Sequence, residues 1–359
     1  MPRSRRHPAR EREATPATPA ARKLSALLRT LPLLVVALTV TVGPIIIAAN
    51  SSASPATQAA HSPGSNTGRV ITVVAAENFW GSIASQIGGR HAHVISIITN
   101  PNTDPHSYEP AALDARSVAG AQLVIENGIG YDPWAARLLA ADQGSQTVLN
   151  VGTTLGLADG ANPHRWYNPA DVQHITRQLV ADFSRLDPAD SAYFARQRAH
   201  FDSSGLRDYH FLIKAIGRKY GGAPVGASES IFAMLAPALR LRLITPPEFL
   251  KAISEGGEVS AADKLTIDNQ IKHHLIKIYV YNSQNVTPDV QAQIREARAA
   301  HIPITTITET LAPPQDSYQA WQDRQLRGIE AALAAAGAGP AKAVPAKAVP
   351  VKEEAKADQ

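Results

Sequence analysis

Eight short apolar runs, arranged as two groups of four, constrain the fold of this chain more than any other feature. Each run is short enough to be a single buried strand and is followed by an amphipathic stretch, the pattern of strands and helices around a parallel sheet. The runs are residues 70–76, 93–99, 122–126 and 147–151, then 223–227, 241–245, 277–281 and 303–308. We therefore predict an α/β protein of two lobes, each with a four-stranded, mainly parallel sheet flanked by helices.

The stretch between the two groups predicts a helical connection. Residues 187–220 lack an apolar run but carry aromatic and aliphatic side chains at helical spacing. These side chains are Tyr193, Phe194, Phe201, Leu206, Tyr209, Leu212, Ile213 and Ile216. We predict that one long helix joins a first lobe of residues 69–186 to a second lobe of residues 221–336. Asp187, followed by a proline, suits the start of this helix, and Gly205 marks a position for a kink or a break.

Both ends of the chain are predicted to lie outside the lobes. Residues 1–49 combine a basic leader with an apolar segment at residues 31–49, which is typical of an export signal. Proline and glycine interrupt an apolar segment barely long enough to span a bilayer, so we expect a cleaved signal, with an uncleaved anchor as the alternative. Residues 50–68 are interpreted as a polar linker, and residues 337–359, which repeat Ala-Lys-Ala-Val-Pro, as a disordered tail.

Composition adds a location and excludes one class of partner. The chain has no cysteine, so it has neither a disulfide nor a site for a lipid anchor, and we expect a periplasmic or other extracytoplasmic protein that is not a lipoprotein. The first 30 residues hold eight Arg or Lys against two Glu, and the tail is also slightly basic. Because the whole chain carries only +4, the lobes between these ends are net acidic. A basic face for nucleic acid is therefore not expected.

Four side chains follow predicted strands where open parallel sheets bind their ligands, just beyond the carboxyl ends. His106 follows the second run of the first group, and His164 lies in the loop after the fourth. Glu229 follows the first run of the second group, and Glu309 follows the last. A proline directly precedes each histidine and stiffens its loop. Imidazole and carboxylate are common metal ligands, so this arrangement predicts a metal site with two ligands from each lobe.

Each of these residues also has an ordinary structural interpretation. A loop histidine can bond a backbone carbonyl. Glu229 can stabilise a helix whose first turn it occupies if Ser228 is the cap, and Glu309 can be a solvated loop acid. Asp104, beside the first histidine, suits a turn better than a role in orienting the ring. Aromatic residues near the strand ends are expected to pack in the core rather than to line the cleft; they are Phe79, Trp80, Trp134, Trp166 and Tyr167.

The motifs resemble, in order, those of the periplasmic metal-binding proteins of ABC transporters for zinc, manganese and iron, the cluster with a rigid helical linker. The resemblance extends from residue 70 to about residue 333 and is carried by residues 103–110 (TDPHSYEP), 162–169 (NPHRWYNP), 228–232 (SESIF) and 307–311 (ITETL). In that family the first two segments each give a histidine ligand, the third gives histidine or glutamate, and the fourth usually gives aspartate. The resemblance implies His106, His164, Glu229 and Glu309 as ligands, with Glu309 one methylene longer than the usual residue.

The resemblance also implies a function that is not enzymatic. A solute-binding protein of this kind captures a divalent metal between its lobes and hands it to a membrane permease driven by a separate ATPase. The sequence contains no Gly-x-x-x-x-Gly-Lys-Ser/Thr motif, so ATP hydrolysis would belong to another chain. We expect a monomer that meets the membrane only through its leader or its permease.

The ligand set bears on the choice of metal. Two imidazoles with two carboxylates are harder than three histidines, which moves the expectation from zinc toward manganese or ferrous iron. Zinc and manganese stay level as candidates, with iron as a third. Binding needs neutral histidines and ionised carboxylates, so the affinity is expected to fall below about pH 6, near the reference pKa of histidine.

Two other classes of function stay open on the sequence alone. An exported metallohydrolase would use the same side chains to activate water, but it needs an open coordination position and a general base, and the sequence has no His-Glu-x-x-His motif. A surface adhesin or a metal sensor would use the same site without transport.

Overall fold

The computed structural model describes residues 70–142 and 144–340. Its first lobe alternates strands with helices, as the apolar runs predict. The elements of this lobe are β1 (Ile71–Glu77), α1 (Asn78–Gly88), β2 (Ala92–Ile98), α2 (Ala112–Ala119), β3 (Leu123–Glu126), α3 (Pro133–Ala141), β4 (Thr147–Asn150) and α4 (Val151–Thr154).

The connection between the lobes is helical but not one uniform helix. It follows α5 (Pro169–Leu186) and consists of α6 (Ser191–His200), a π-helical segment (Phe201–Gly205) and α7 (Arg207–Tyr220). The single long helix predicted from the sequence is thus interrupted. The π-helical segment ends at Gly205, the position at which the sequence predicts a kink or a break.

The second lobe repeats the alternation. Its elements are β5 (Pro224–Ala227), α8 (Ile231–Leu235), β6 (Arg242–Leu243), α9 (Pro247–Ser254), α10 (Ala261–Lys272), β7 (Tyr279–Asn282), α11 (Pro288–Ala299), β8 (Ile304–Ile307) and α12 (Tyr318–Ala335). Strand β6 is shorter than the apolar run that predicts it.

The two sheets have the same topology. The strand orders are β2-β1-β3-β4 and β6-β5-β7-β8, and every neighbouring pair is parallel. In the first sheet Val74 pairs with Ile95 of β2 and with Val124 of β3. Parallel strands in register end at the same edge, so the loops after them meet there. The predicted fold class, two lobes with four-stranded parallel sheets flanked by helices, is confirmed.

One apolar core runs from the first lobe into the second. The ring of Phe79 stacks on that of Trp166 with 3.8 Å between centroids, and Tyr167 packs edge-on against Trp321 of α12 at 5.5 Å. The hydroxyl of Tyr318 donates to the carbonyl of Trp166 at 2.6 Å. The five aromatic residues expected in the core are all fully buried, which confirms that expectation. The lobes therefore share packing across their junction.

Polar contacts reinforce this junction between helices α1 and α12. The side-chain amides of Gln86 and Gln319 bond each other reciprocally, at 3.1 Å and 2.7 Å. The backbone N–H of Tyr318 donates to the hydroxyl of Ser82 at 2.9 Å. Helix α12 of the second lobe thus contacts helix α1 of the first lobe.

The predicted leader (residues 1–49) and linker (residues 50–68) lie outside the described residues, as do residues 341–359 of the predicted tail. In the part of the chain that the structure describes, no helix is both long and apolar enough to cross a membrane. The lobe boundaries drawn from the sequence stay a prediction.

Truncation of Phe79 tests whether the core shared by the two lobes stabilises the fold. Its ring is fully buried, so alanine leaves a cavity, and we expect the free energy of unfolding in urea to fall by about 3–5 kcal/mol. The matched control is Phe211→Ala on α7, where the side chain is 63% exposed and we expect a change within about 0.5 kcal/mol. Equal effects of the two substitutions would contradict the account of the core.

Candidate metal site

The four candidate ligands lie on loops that follow strands, beside the cleft between the lobes. His106 lies between β2 and α2, and His164 directly precedes a 3-10 turn at Arg165–Tyr167. Glu229 lies between β5 and α8, and Glu309 follows β8. The parallel topology therefore places two candidates from each lobe at the facing edges of the sheets.

Three of these side chains converge closely. One ligand atom each of His164, Glu229 and Glu309 lies within 4.8 Å of the other two. His106 is outside this group of three, but its Nε2 lies 3.9 Å from Oε1 of Glu309, and Nε2 of His164 lies 3.1 Å from the same oxygen. In octahedral coordination, donor atoms about 2.1 Å from the ion lie about 3.0 Å apart when adjacent and about 4.2 Å apart when opposite. Both separations fall in that range.

The loop around His164 fixes the tautomer of its ring. Nδ1 lies 2.9 Å from Oδ1 of Asn162, and the amide nitrogen of Asn162 donates to the carbonyl of Ser230 at 2.7 Å. The amide oxygen of Asn162 is therefore the atom that faces the ring, so Nδ1 carries the proton. Nε2 is left as a lone-pair donor directed at Glu309, which is the orientation that a metal-binding histidine requires.

The loop around His106 is built as a turn. Asp104 accepts hydrogen bonds from the backbone N–H of His106 at 3.0 Å and from the hydroxyl of Ser107 at 2.7 Å, as expected for an aspartate in a turn. The imidazole packs edge-on against Tyr131, with 4.7 Å between ring centroids. Within the described residues its Nε2 has no hydrogen-bond partner. The ring is thus held in place while one nitrogen is left free for a ligand.

His106 is also the most accessible of the four candidates. Its side chain is 28% exposed, whereas that of His164 is fully buried and that of Glu309 is 12% exposed. Two cavities of about 490 Å³ and about 200 Å³ reach this ring, and residues of both lobes line each of them. His106 is therefore the candidate ligand most open to the cleft.

The structure corrects the expected surroundings of Glu229. Helix α8 begins after Ser230, which is its N-cap, so Glu229 precedes the helix instead of occupying its first turn. Ser228 does not cap the helix; its hydroxyl accepts a hydrogen bond from the backbone N–H of Asn282 at 3.1 Å. Stabilisation by the helix dipole therefore does not explain this glutamate.

Amide side chains that the sequence reasoning missed hold the two glutamates. Nδ2 of Asn282 donates to Oε1 of Glu229 at 2.7 Å, and Nδ2 of Asn285 donates to Oε2 at 2.8 Å. Oε1 of Gln284 accepts from the backbone N–H of Glu309 at 2.6 Å. All three amides lie at or just after the end of β7. The rule that identified the glutamates, inspection of residues after each strand, would have identified these amides as well.

Burial sets the protonation of the site in the absence of a metal. Burial and then the charge of Glu309 raise the pKa of Glu229 to about 7. Burial also raises the pKa of Glu309 to about 7, against the lowering influence of His106. Burial lowers the pKa of His164 to about 4 and moves that of His106 in the same direction. The metal-free site therefore favours neutral histidines and protonated carboxyls near neutral pH.

The chemistry of this site is that of a cation receptor. Two imidazole nitrogens and two carboxyl groups converge, and in the described ranges neither glutamate forms a salt bridge with Lys or Arg. Buried carboxylates are stable only when paired or bound to a metal. A divalent ion would supply the missing charge and bind all four side chains.

The fold and the converging side chains define a two-lobed solute-binding protein, with its ligand cleft between two parallel sheets. Residues 73–332 match the family model described as ZnuA, zinc-uptake complex component A, periplasmic. The chain belongs to this family of metal ABC transporter substrate-binding proteins. The family is periplasmic or extracytoplasmic, and its members are binding components rather than enzymes.

Curated relatives match part of the chain. It is 30% identical over 162 residues to the iron-binding protein YfeA of Yersinia pestis, a match that covers 42% of this chain and 50% of that protein. It is 19% identical over 206 residues to the high-affinity zinc uptake system protein ZnuA of Bacillus subtilis, which covers 52% and 63%. The chain thus spans half to just under two thirds of the length of these relatives.

Solved structures match more of the chain. A manganese-bound mutant of a periplasmic metal-binding protein from Candidatus Liberibacter asiaticus has a TM-score of 0.61, and the match covers 72% of this chain and 98% of that one. At 17% identity the likeness shows the fold alone. The names of the three proteins refer to iron, zinc and manganese, which are the metals expected from the ligand set.

The raised carboxyl pKa values predict how metal affinity depends on pH. Between about pH 5 and pH 7 the carboxyls, and not His164, hold the protons that an ion must displace. The affinity should fall as the pH drops below about 7, about tenfold per pH unit for each proton displaced. This onset is higher than the one expected from the histidine reference pKa.

Isothermal titration calorimetry of the metal-free protein, in buffers of different ionisation enthalpy, measures the affinity and the number of protons released together. A Glu309→Gln variant is the comparison and should release about one proton fewer per ion at pH 6. A constant affinity from pH 5 to pH 8, without proton release, would refute the assignment.

Proposed function

We propose that this protein captures a divalent metal ion between its lobes and delivers it to a membrane permease powered by a separate ATPase. The observation that carries the proposal is the convergence of His164, Glu229 and Glu309 within 4.8 Å, with His106 at the open side. Family membership supports the transport role. The extracytoplasmic location follows from the same family and from the predicted export signal.

The proposed ligands are His106, His164, Glu229 and Glu309. The first lobe would supply two nitrogens and the second lobe up to four oxygens. This set suits manganese or ferrous iron better than a site of three histidines does, whereas zinc binds nitrogen and oxygen ligands tightly in either case. We propose zinc or manganese as the cargo, with iron as the third candidate.

The binding role is favoured over catalysis. A catalytic metal site keeps a coordination position open and has a general base beside it. Here all four side chains are proposed as ligands, and the side chains that donate to Glu229 are amides, which are poor bases. A hydrolase, an adhesin or a sensor has no specific observation in its favour. We propose that the chain itself is not an enzyme and acts as a monomer.

Removal of each ligand tests the proposal. After stripping with a chelator, competitive binding of zinc, manganese and ferrous iron should show affinities weakened by more than about 100-fold in His106→Ala, His164→Ala, Glu229→Ala and Glu309→Ala. Asn282→Ala, which removes a donor to Glu229, should cost about 10–100-fold. Circular dichroism checks that each variant is folded.

The matched controls are His93→Ala and Glu258→Ala, which replace exposed residues of the same types and should bind like the wild type. Wild-type affinity in both histidine ligand variants would refute the site. Loss of affinity in the controls as well would show that the substitutions act through folding instead.

A further inference from the structure

A second group of metal-ligand side chains lies at the opposite end of the first lobe. One ligand atom each of His91, Asp187 and Asp190 lies within 4.8 Å of the other two. His91 directly precedes β2, whereas His106 follows the carboxyl end of that strand. Strand β2 has seven residues, which places its ends about 20 Å apart. We propose that these three residues form a second, external binding site for a divalent metal ion, independent of the site in the cleft.

The two carboxylates are presented together by local backbone geometry. Residues Pro188–Asp190 form a 3-10 turn, with Asp187 at its N-cap. The backbone N–H of Asp190 donates to the carbonyl of Asp187 at 3.3 Å. This short turn brings the two side chains near each other, and one carboxylate oxygen of Asp187 lies within 4.8 Å of one of Asp190. Proline at the first position holds this turn in place.

The imidazole is fixed opposite these carboxylates. His91 is 7% exposed, and its ring packs against Tyr193 at 4.5 Å and edge-on against Phe194 at 6.0 Å between centroids. Nδ1 lies 2.7 Å from Oδ2 of Asp190. That oxygen is buried, yet it has no hydrogen-bond partner of acceptable geometry among the described residues. The other ring nitrogen of His91, Nε2, is also buried and has no hydrogen-bond partner in the described residues. Polar atoms of both side chains are therefore left for a ligand.

A plain ion pair between His91 and Asp190 explains only part of this arrangement. It leaves Asp187 as a second carboxylate beside the pair, without a salt-bridge partner in residues 70–142 and 144–340. The nearby guanidinium of Arg90 lies over the ring of Tyr193, 4.9 Å from its centroid. With a neutral imidazole the group carries two negative charges, which one divalent ion balances.

The site would take a small divalent transition ion. Adjacent donors about 2.1 Å from one ion lie about 3.0 Å apart in octahedral and about 3.4 Å apart in tetrahedral coordination. The contact of 2.7 Å between Nδ1 and Oδ2 would therefore open by less than about 1 Å. One nitrogen with two carboxylates suits zinc, nickel or manganese. Both aspartates are partly exposed, so water would complete the coordination, and the ion would tie the start of β2 to the start of the interlobe helices.

The test isolates the second site from the first. In a His106→Ala, His164→Ala background, equilibrium dialysis against zinc followed by elemental analysis should still find one bound ion per chain. Zinc should also raise the melting temperature of this variant, because the ion binds only the folded arrangement. Asp187→Asn and Asp190→Asn, added together, should weaken this residual binding at least tenfold and abolish the melting shift.

The matched controls for the asparagine pair are Asp208→Asn and Asp289→Asn, which replace exposed aspartates on other helices and should leave residual binding unchanged. Residual zinc that survives the Asp187 and Asp190 substitutions would place the ion on other histidines and overturn the proposal. Absence of any residual zinc in the folded background variant would overturn it as well. Neither result bears on the site in the cleft, whose test uses the wild-type aspartates.

Discussion

The charge of the candidate metal site depends on two ionisable carboxyl groups that are buried beside each other in the cleft. Glu229 and Glu309 come from different loops of the second lobe, and burial raises the pKa of each to about 7. Amide side chains from the end of β7 donate to both carboxyl oxygens of Glu229, and another accepts from the backbone N–H of Glu309, but these amides bring no positive charge. The polypeptide thus builds a site that is electrically incomplete when its carboxyls ionise. In the proposed function a divalent cation supplies the missing positive charge, which would make its capture favourable.

The rest of the fold holds the two halves of this site at a constant distance. The histidines come from the first lobe and the glutamates from the second, so any large opening of the cleft would separate them. A shared aromatic core, the helices between the lobes and the return of α12 to α1 oppose such opening. The π-helical segment that ends at Gly205 is a local irregularity in an otherwise continuous helical connection. Under the proposed function, an ion could reach the site through the partly exposed ring of His106 without a large rearrangement.

Much of the fold and of the candidate site could be predicted because two simple patterns dominate the sequence. Apolar runs located all eight strands of the part of the chain that the structure describes. The rule that parallel sheets bind ligands at their carboxyl ends led to His106, His164, Glu229 and Glu309. The interpretation of Glu229 as a first-turn residue capped by Ser228 was wrong. The hydroxyl of Ser228 instead bonds the backbone of β7, a contact between residues far apart in sequence, and α8 begins after Ser230. For the same reason the shift of acid titration toward pH 7 was not foreseen. The raised pKa values result from burial, and how deeply a side chain is buried depends on the assembled lobes and cannot be read from the sequence.

The most direct test of the account is a crystal structure of the protein loaded with manganese, with the ion located by its anomalous scattering. We expect one ion in the cleft, about 2.0–2.4 Å from Nε2 of both His106 and His164 and from carboxylate oxygens of Glu229 and Glu309. An ion in the cleft bound by residues of one lobe only, or a cleft left empty while the ion binds elsewhere, would contradict the central claim.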